Sequence, residues 1–371
     1  ASVTAPWLVS MPRASPVFLA LAAACRLTQG LRCGRGAGSL AHRTLTSMSL
    51  SSPAATLVLH DGTTHPLVGY GTYKVGYVPP SASSSATGSS PSAAGESKSA
   101  ADCVRQALEV GYTFLDCAEF YGNEAEVGAG IAASGVPRDK LFLASKVWTT
   151  TVHGGPEAVR KQVLRSIEDL GCGYLDLCCI HWPVPGKHVA AYEELQRLQQ
   201  EGLIVSLGLS NYAIEDYQEL MGSSNVNIKP TVNQIEINPF LYRKQTIDYF
   251  MDQGVQLQSY RALRDGKAFQ HPVVAAIAAR RGKTPAQVLG RWCVQNGFIY
   301  IPKSVQVDRM VENAQVLDWE LTAEDMADLS GLTTEENLET FKALYIKCVL
   351  RDTPLEGTLE GSRLIKEITV L

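Results

Sequence analysis

Four polar residues of different chemical types follow or end apolar runs in the first half of the chain. Asp116 ends the run "TFLD", Tyr121 follows it, Lys146 lies in "LFLASKV", and His181 lies near the end of "LDLCCIHW". A tyrosine has a pKa near 10, but a lysine ammonium beside the phenol favours the phenolate and lowers that pKa. With Asp116 paired to the lysine and His181 hydrogen-bonded to a substrate oxygen, the four residues are those expected of a proton donor to a carbonyl group.

A purely structural interpretation of the same residues is the alternative. Asp116 and Lys146 could form an ion pair, Tyr121 could pack with its hydroxyl outward, and His181 could be a satisfied core histidine. For any one of them this alternative is the better explanation. Their occurrence together, at consecutive predicted strand ends, favours the catalytic interpretation.

The elements that position these residues alternate regularly along the chain. Eight short apolar runs, separated by segments of helical spacing, cover residues 67–73, 113–116, 141–147, 175–182, 206–211, 232–238, 256–260 and 298–304. Eight units in roughly 280 residues predict an α/β fold, a closed (β/α)8 TIM barrel, better than an open doubly wound sheet. Such a barrel places the carboxyl ends of its strands around one cavity.

Further elements are predicted at both ends of this barrel. Asp61-Gly62 in "TLVLHDGTTHPLVG" marks the turn of an N-terminal β-hairpin, which we expect to close the bottom of the barrel. "TAEDMADLSGL" predicts an extra C-terminal helix, with Thr322 as its N-cap. We therefore assign residues 56–345 to the barrel and residues 346–371 to a C-terminal tail without a pattern that indicates a role.

Two segments have compositions that do not predict a packed fold. Residues 1–50 are rich in Arg, Ser and Ala and lack Asp and Glu, which is typical of a transit peptide, although "PVFLALAAAC" also resembles a secretory signal. An untranslated or disordered extension is the alternative. Residues 78–100, rich in Ser, Ala, Gly and Pro, are predicted to be a disordered insertion. We expect the protein in the cytoplasm, or in a plastid or mitochondrion if the leader is a transit peptide.

Composition excludes several classes of function. The chain has a net charge of −4, and its first 60 residues hold five arginines without Asp, Glu or Lys, so the remainder is more acidic and nucleic acid is not an expected partner. No later apolar run approaches the roughly 18 residues needed to cross a bilayer. Nine cysteines without a Cys-x-x-Cys pair indicate a reducing compartment, and we expect no metal. We expect a monomer that acts on a small molecule.

Six motifs give the chain a resemblance to a known family. "LDCAEFYGNEAEVG", "LASKVW", "CCIHWPVP", "GLSNY", "VNQIEINP" and "IPKSVQVDRMVEN" strongly resemble, in order and spacing, motifs of the aldo-keto reductase superfamily. The resemblance covers about residues 56–335. It implies reduction of an aldehyde or ketone by hydride transfer from NADPH, with Tyr121 as general acid, Lys146 and Asp116 tuning it, and His181 orienting the carbonyl.

The resemblance also implies a cofactor site at the strand ends. Lys303, Ser304 and Arg309 supply two cations and a hydroxyl before a helix, which suits a phosphate. They are expected to hold the 2′-phosphate of NADPH. The remaining expected cofactor residues are Thr72, Ser210, Asn211 and Gln234, Tyr260 as the ring that stacks on the nicotinamide, and Glu312 and Asn313 near the adenine. A solvated helix start with scattered charges is the alternative interpretation of the phosphate site.

An aromatic pocket with one polar end is expected above the nicotinamide. Tyr73, Phe120, Trp148 and Trp182 should line it, although aromatic residues at strand ends also serve as core filler. One departure from the family follows Tyr260, where Arg261-Ala262-Leu263 replaces the usual Ser-Pro-Leu. An NADPH-binding, redox-sensing or regulatory protein on the same barrel, with little turnover, is the alternative function, since fold does not determine activity.

Overall fold

A computed structural model describes residues 55–76 and 98–371 of the protein. The leader predicted over residues 1–50 lies outside the described residues, as does the insertion predicted over residues 78–100 except for its last three positions. Of these, Ser99 caps the first helix, because its side chain accepts a hydrogen bond from the Asp102 N–H, and Ala100 is the first helical residue.

Eight parallel strands form the sheet at the centre of the molecule. They are β3 (Gly69–Gly71), β4 (Phe114–Asp116), β5 (Phe142–Val147), β6 (Leu175–Ile180), β7 (Ile204–Ser210), β8 (Val232–Glu236), β9 (Gln256–Tyr260) and β10 (Ile299–Tyr300). Each pairs with the next strand in the chain. The first and last strands meet through a parallel bridge between Val68 and Tyr300. The predicted barrel is therefore confirmed.

Helices alternate with these strands and continue after the last of them. The helices are α1 (Ala100–Val110), α2 (Glu124–Ser134), α3 (Thr149–Gly154), α4 (Pro156–Leu170), α5 (His188–Gln200), α6 (Ile214–Gly222), α7 (Lys244–Asp252), α8 (Pro272–Arg281), α9 (Pro285–Gln295), α10 (Val307–Ala314), α11 (Ala323–Ser330), α12 (Glu335–Cys348) and α13 (Leu359–Leu364). Among the described residues, no helix is both long and apolar enough to span a bilayer.

The strands are apolar along most of their length because both of their faces are buried. Their inward residues form one core inside the barrel, which includes Phe114, Phe142 and Cys179. Their outward residues join a second core beneath the helices, which includes Cys178. The neighbouring cysteines thus point to opposite faces of β6, as the alternation of a strand requires.

The predicted hairpin consists of β1 (Thr56–Val58) and β2 (Thr64–Pro66), which pair antiparallel. Leu59 belongs to the interior core, and the ring of His65 lies 4.6 Å from that of Phe114 and 4.0 Å from that of Phe142. Because these two phenylalanines begin β4 and β5, the hairpin packs against the amino-terminal end of the barrel. Burial lowers the pKa of His65 to about 4, so its imidazole is neutral at physiological pH.

The elements of the C-terminal part of the chain agree with the sequence predictions to different degrees. Thr322 caps α11 as predicted and forms a capping box with Asp325. The last apolar run, predicted over residues 298–304, pairs as a strand only at Ile299–Tyr300. Pro302 has no N–H to donate to a neighbouring strand, and its carbonyl accepts the Gly71 N–H instead. Two helices, α12 and α13, form where the sequence offered no interpretation.

Candidate active site

The carboxyl ends of β4 and β5 bring three of the predicted catalytic residues together. Asp116 is the last residue of β4, and a short 3-10 helix, Glu119–Tyr121, follows it and carries Tyr121. The Lys146 ammonium nitrogen, on β5, lies 2.7 Å from Asp116 Oδ1, 2.9 Å from the Cys117 carbonyl oxygen and 3.1 Å from the Tyr121 hydroxyl. An ammonium has three donors, so each of these contacts uses one of them.

The protonation of this cluster follows from burial and from the neighbouring charges. Burial raises the pKa of Tyr121 above its usual value, and the approach of Lys146 offsets only part of that effect. Burial would lower the pKa of Lys146, but Asp116 and Tyr121 outweigh it and raise that pKa. The sequence led us to expect a lowered tyrosine pKa. Lys146 does act in that direction, but desolvation of the phenolate is the larger effect, so at neutral pH Tyr121 is a neutral phenol beside an ammonium.

His181 follows β6 and lies near Tyr121. Its ring centroid lies 6.0 Å from that of Tyr121, and its backbone carbonyl accepts a hydrogen bond from the Asn211 side chain at 3.0 Å. Burial, with a smaller effect from Lys146, places the pKa of His181 well below its usual value, so the imidazole is neutral. Its Nδ1 atom is buried and has no hydrogen-bond partner among the described residues.

Of the four residues expected to bind the nicotinamide, Ser210 and Tyr260 end β7 and β9, Asn211 follows β7, and Gln234 lies in the middle of β8. Asn211 Nδ2 donates to Ser210 Oγ at 3.1 Å, and the Tyr260 hydroxyl donates to Asn211 Oδ1 at 2.7 Å. Gln234 Nε2 donates to Asp116 Oδ1 at 2.8 Å. The Gln234 contact joins the predicted carboxamide residues to Asp116, so the positions of these two groups of side chains depend on each other.

Gln258, which the sequence analysis did not single out, continues this polar chain through the barrel. It accepts a hydrogen bond from Gln234 at 2.9 Å, and its own Nε2 lies 2.9 Å from His65 Nε2. All three side chains are buried. A glutamine between Leu257 and Ser259 of a central strand was the available sequence signal, since a buried amide requires partners.

The predicted phosphate residues lie in the loop after β10 and in α10. Lys303 and Arg309 are exposed, and neither forms a salt bridge with any residue that the structure describes. Ser304 is buried, its hydroxyl accepts the Gln306 N–H at 3.1 Å, and its carbonyl accepts the Tyr70 hydroxyl at 2.7 Å. Two exposed cations that form no salt bridge within the described part of the chain, beside a loop held by Ser304, fit an anionic group such as a phosphate.

The other three predicted cofactor residues differ in exposure. Thr72 is buried, and both its N–H and its hydroxyl donate to the Asp116 carbonyl, at 3.1 Å and 2.9 Å. Asn313 is buried and Glu312 is half-buried, both on α10. Thr72 therefore supports the strand end that carries Asp116, while Glu312 and Asn313 belong to the helix that follows the phosphate residues.

A family model called the Aldo/keto reductase family matches residues 84–333. The chain belongs to the aldo-keto reductase family. Among its relatives, an uncharacterised oxidoreductase of Bacillus subtilis is 38% identical over 288 residues, which is 76% of this chain and 94% of the relative. A glyoxal reductase of the same organism is 36% identical over 283 residues and covers the same shares of the two chains.

Solved structures of other family members have the same fold. The aldo-keto reductase of Bombyx mori in complex with NADP is 28% identical, has a TM-score of 0.66, and matches 76% of this chain and 94% of its own. The aldose reductase of Schistosoma japonicum is 33% identical, with the same TM-score and the same coverage. This chain is therefore an oxidoreductase of a family that uses nicotinamide cofactors.

Aromatic rings pack around Tyr121 and His181. Phe120 stacks on Trp148 with ring centroids 3.9 Å apart, and Trp148 lies 4.9 Å from His181. Tyr73 lies 5.1 Å from Tyr121. Trp182 does not pack on these rings in the same way, since its ring contacts Tyr345 of α12 at 6.0 Å. Tyr73, Phe120 and Trp148 thus lie near Tyr121 or His181, whereas Trp182 packs on Tyr345 from the C-terminal region.

The departure from the family after Tyr260 places an arginine at the end of β9. Arg261 adopts a left-handed backbone conformation with φ of 50°, and its guanidinium lies 3.1 Å from Glu236 and 3.2 Å from Asp265. Glu236 is buried at the end of β8. The Arg261 side chain is therefore engaged by two carboxylates of the protein itself.

Proposed function

We propose that the protein reduces an aldehyde or ketone to an alcohol, with NADPH as hydride donor and Tyr121 as general acid. The observation that carries the proposal is the separation of 3.1 Å between the Lys146 ammonium and the Tyr121 hydroxyl, with Asp116 2.7 Å from the same ammonium. When bound, NADPH supplies the hydride.

The residues proposed to hold the cofactor match its parts chemically. Lys303 and Arg309 pair with the 2′-phosphate, and Ser304 adds a hydroxyl. Ser210, Asn211 and Gln234 offer donors and acceptors to the carboxamide, and the Tyr260 ring packs against the nicotinamide. Thr72 would support this site, and Glu312 and Asn313 would contact the adenine.

Proton transfer to the substrate is assigned to Tyr121. A neutral phenol donates its proton to the carbonyl oxygen as that oxygen gains negative charge. The phenolate that forms lies against the Lys146 ammonium, which stabilises it, and Asp116 keeps the ammonium in position. His181, neutral because its pKa is lowered, donates a hydrogen bond to the same oxygen and so orients the carbonyl over the cofactor.

The direct experiment is a panel of carbonyl compounds followed at the absorbance of the reduced nicotinamide, with NADPH and with NADH. We expect NADPH oxidation with aromatic aldehydes, since Tyr73, Phe120 and Trp148 provide an aromatic pocket. Tight NADPH binding without turnover of any aldehyde, ketone or sugar carbonyl would instead favour the redox-sensing or regulatory function.

A further inference from the structure

A carboxylate near Tyr121 connects its chain segment to the segment that carries Lys146. Glu119 begins the short 3-10 helix that ends at Tyr121. One oxygen of its carboxylate accepts the Trp148 N–H at 2.7 Å, and the other accepts the Thr151 hydroxyl at 2.6 Å. Trp148 and Thr151 follow Lys146 in the chain, after the end of β5. The carboxylate therefore bridges the two segments that bring the phenol and the ammonium together.

The 3-10 helix has few contacts of its own that could fix its position. It has three residues, and its N-cap, Ala118, forms no side-chain cap hydrogen bond. Its two backbone hydrogen bonds, accepted by the Ala118 and Glu119 carbonyls, join residues of the same segment. They fix the shape of the segment but not its distance from β5. Contacts with other segments must therefore set the separation of 3.1 Å between the Tyr121 hydroxyl and the Lys146 ammonium.

A pair of stacked rings also joins these two segments. Phe120 stacks on Trp148 with ring centroids 3.9 Å apart. Stacked rings pack with a range of offsets, so this contact allows one segment to slide along the other. Hydrogen bonds depend on both distance and direction, so the two bonds to Glu119 restrict that sliding.

The surroundings of the Glu119 carboxylate indicate that it supplies two acceptors rather than an ion pair. Burial raises the pKa of Glu119, and the hydrogen bonds from Thr151 and Trp148 offset part of that effect. Glu119 forms no salt bridge with any residue that the structure describes. Its two partners are a neutral hydroxyl and a backbone N–H. A carboxylate can accept from both at once, because it has an oxygen for each.

We propose that Glu119 is a positioning residue for proton transfer, and that its two hydrogen bonds hold the Tyr121 hydroxyl beside the Lys146 ammonium. The inference rests on the proposed carbonyl reduction and goes beyond it by naming a residue that acts through Tyr121. A displacement of about 1 Å from the reacting geometry can lower a rate about 10²-fold, so loss of this bridge should slow the chemical step.

Two substitutions of Glu119 test whether the acceptors matter. Glu119→Met keeps a side chain of similar length without either acceptor, and we expect kcat with an aromatic aldehyde to fall about tenfold. The Kd for NADPH and the KM for the aldehyde should stay within about twofold, because neither ligand is proposed to contact Glu119. Glu119→Gln can accept the Trp148 N–H and donate to the Thr151 hydroxyl, so its kcat should stay within about threefold of the unmodified protein.

Thr151→Val tests the same bridge from its other side. It removes one of the two hydrogen bonds with little change of shape, and we expect kcat to fall about threefold. In the Glu119→Met background it should have no further effect, because that hydrogen bond is already absent. Single-turnover oxidation of NADPH gives the rate of the chemical step, fluorescence titration gives the Kd, and the Tm shows that each variant is folded. If Glu119→Met does not fold, Thr151→Val and Glu119→Gln still provide the test.

The outcomes separate failure of this inference from failure of the proposed function. Turnover of no carbonyl compound by the unmodified protein would contradict the proposed function, and this inference with it. With turnover established, unchanged kcat in Glu119→Met and in Thr151→Val would overturn only the role of Glu119. Equal losses of kcat and of NADPH affinity would also overturn it, since they would indicate general disruption. Equal losses of kcat in Glu119→Gln and Glu119→Met would overturn it as well, because charge rather than the two hydrogen bonds would then matter.

Discussion

Two lysines at the carboxyl end of the barrel lie in opposite environments. The Lys146 side chain is 1% exposed, and its ammonium contacts Asp116, the Cys117 carbonyl and Tyr121. Lys303 is exposed and forms no salt bridge with a described residue. A buried ammonium with all its donors used is held in one position, whereas an exposed one is free to turn toward an incoming anion. The same residue type thus suits the chemical step in one place and ligand binding in the other.

Lys146→Met removes the buried charge and has the larger expected effect of the two lysine substitutions. Without the ammonium the phenolate formed by Tyr121 has no adjacent positive charge. We therefore expect kcat for NADPH-dependent aldehyde reduction to fall about 10²- to 10⁴-fold, measured by single-turnover oxidation of NADPH.

The control for that variant removes the partner charge as well. Lys146→Met leaves Asp116 buried without a counter-charge, which we expect to cost about 3–5 kcal/mol of unfolding free energy. The double variant Asp116→Asn/Lys146→Met should recover much of the Tm but not the activity. Recovery of both the Tm and the activity would show that Lys146 has only a structural role.

Lys303→Ala tests the exposed lysine. Loss of a charge-assisted contact should weaken NADPH binding about ten- to hundredfold and change NADH binding little, because only NADPH has the 2′-phosphate. Fluorescence titration with both cofactors gives the two affinities. Lys140→Ala, which changes an exposed lysine at the other end of β5, is the matched control. Similar losses for both cofactors would argue against a 2′-phosphate site.

Ionic strength should distinguish the two environments without any substitution. Salt screens exposed charges strongly and buried charges little. Raising the ionic strength from about 0.05 M to about 0.5 M should therefore increase the KM for NADPH severalfold and leave kcat nearly constant. Steady-state kinetics at saturating aldehyde provide both constants. A parallel fall in kcat would mean that the catalytic cluster is open to solvent.

The smallest expected effect is that of pH on kcat. Burial lowers the pKa of His181 well below its usual value, so the imidazole stays neutral as the pH falls through 6.5. The pKa of Tyr121 is raised, so the protonated acid persists as the pH rises toward 10. We predict a flat kcat between about pH 6 and pH 9. An ionisation near 6.5 would show that His181 titrates.

The sequence predicted the fold well because the signal is local and repeated. Eight apolar runs alternate with helical segments, and the carboxyl ends of parallel strands must converge. That geometry alone predicted that Asp116, Lys146 and His181 would approach one another. The hairpin at Asp61-Gly62 and the helix capped at Thr322 have equally local signals, and both are present.

The features that the sequence could not predict depend on contacts between distant segments. Trp148 and Asp352 are 204 residues apart, so no local pattern indicates that the Trp148 indole donates a hydrogen bond to Asp352. The direction of the Tyr121 pKa shift depends on the balance between burial and the Lys146 ammonium, and residue types alone do not reveal this balance. Gln258 matters only because Gln234 and His65 meet it inside the barrel.

The most direct test of the central claim, that Tyr121 donates the proton, is a comparison of Tyr121→Phe with Tyr174→Phe. Tyr174 precedes β6 and so lies at the opposite end of the strands. We predict that Tyr121→Phe binds NADPH within about twofold of the unmodified protein. With an aromatic aldehyde it should oxidise NADPH only at the background rate, a loss larger than the usual contribution of general acid catalysis. Tyr174→Phe should retain full activity. Equal turnover by the unmodified protein and by Tyr121→Phe would contradict the role of Tyr121.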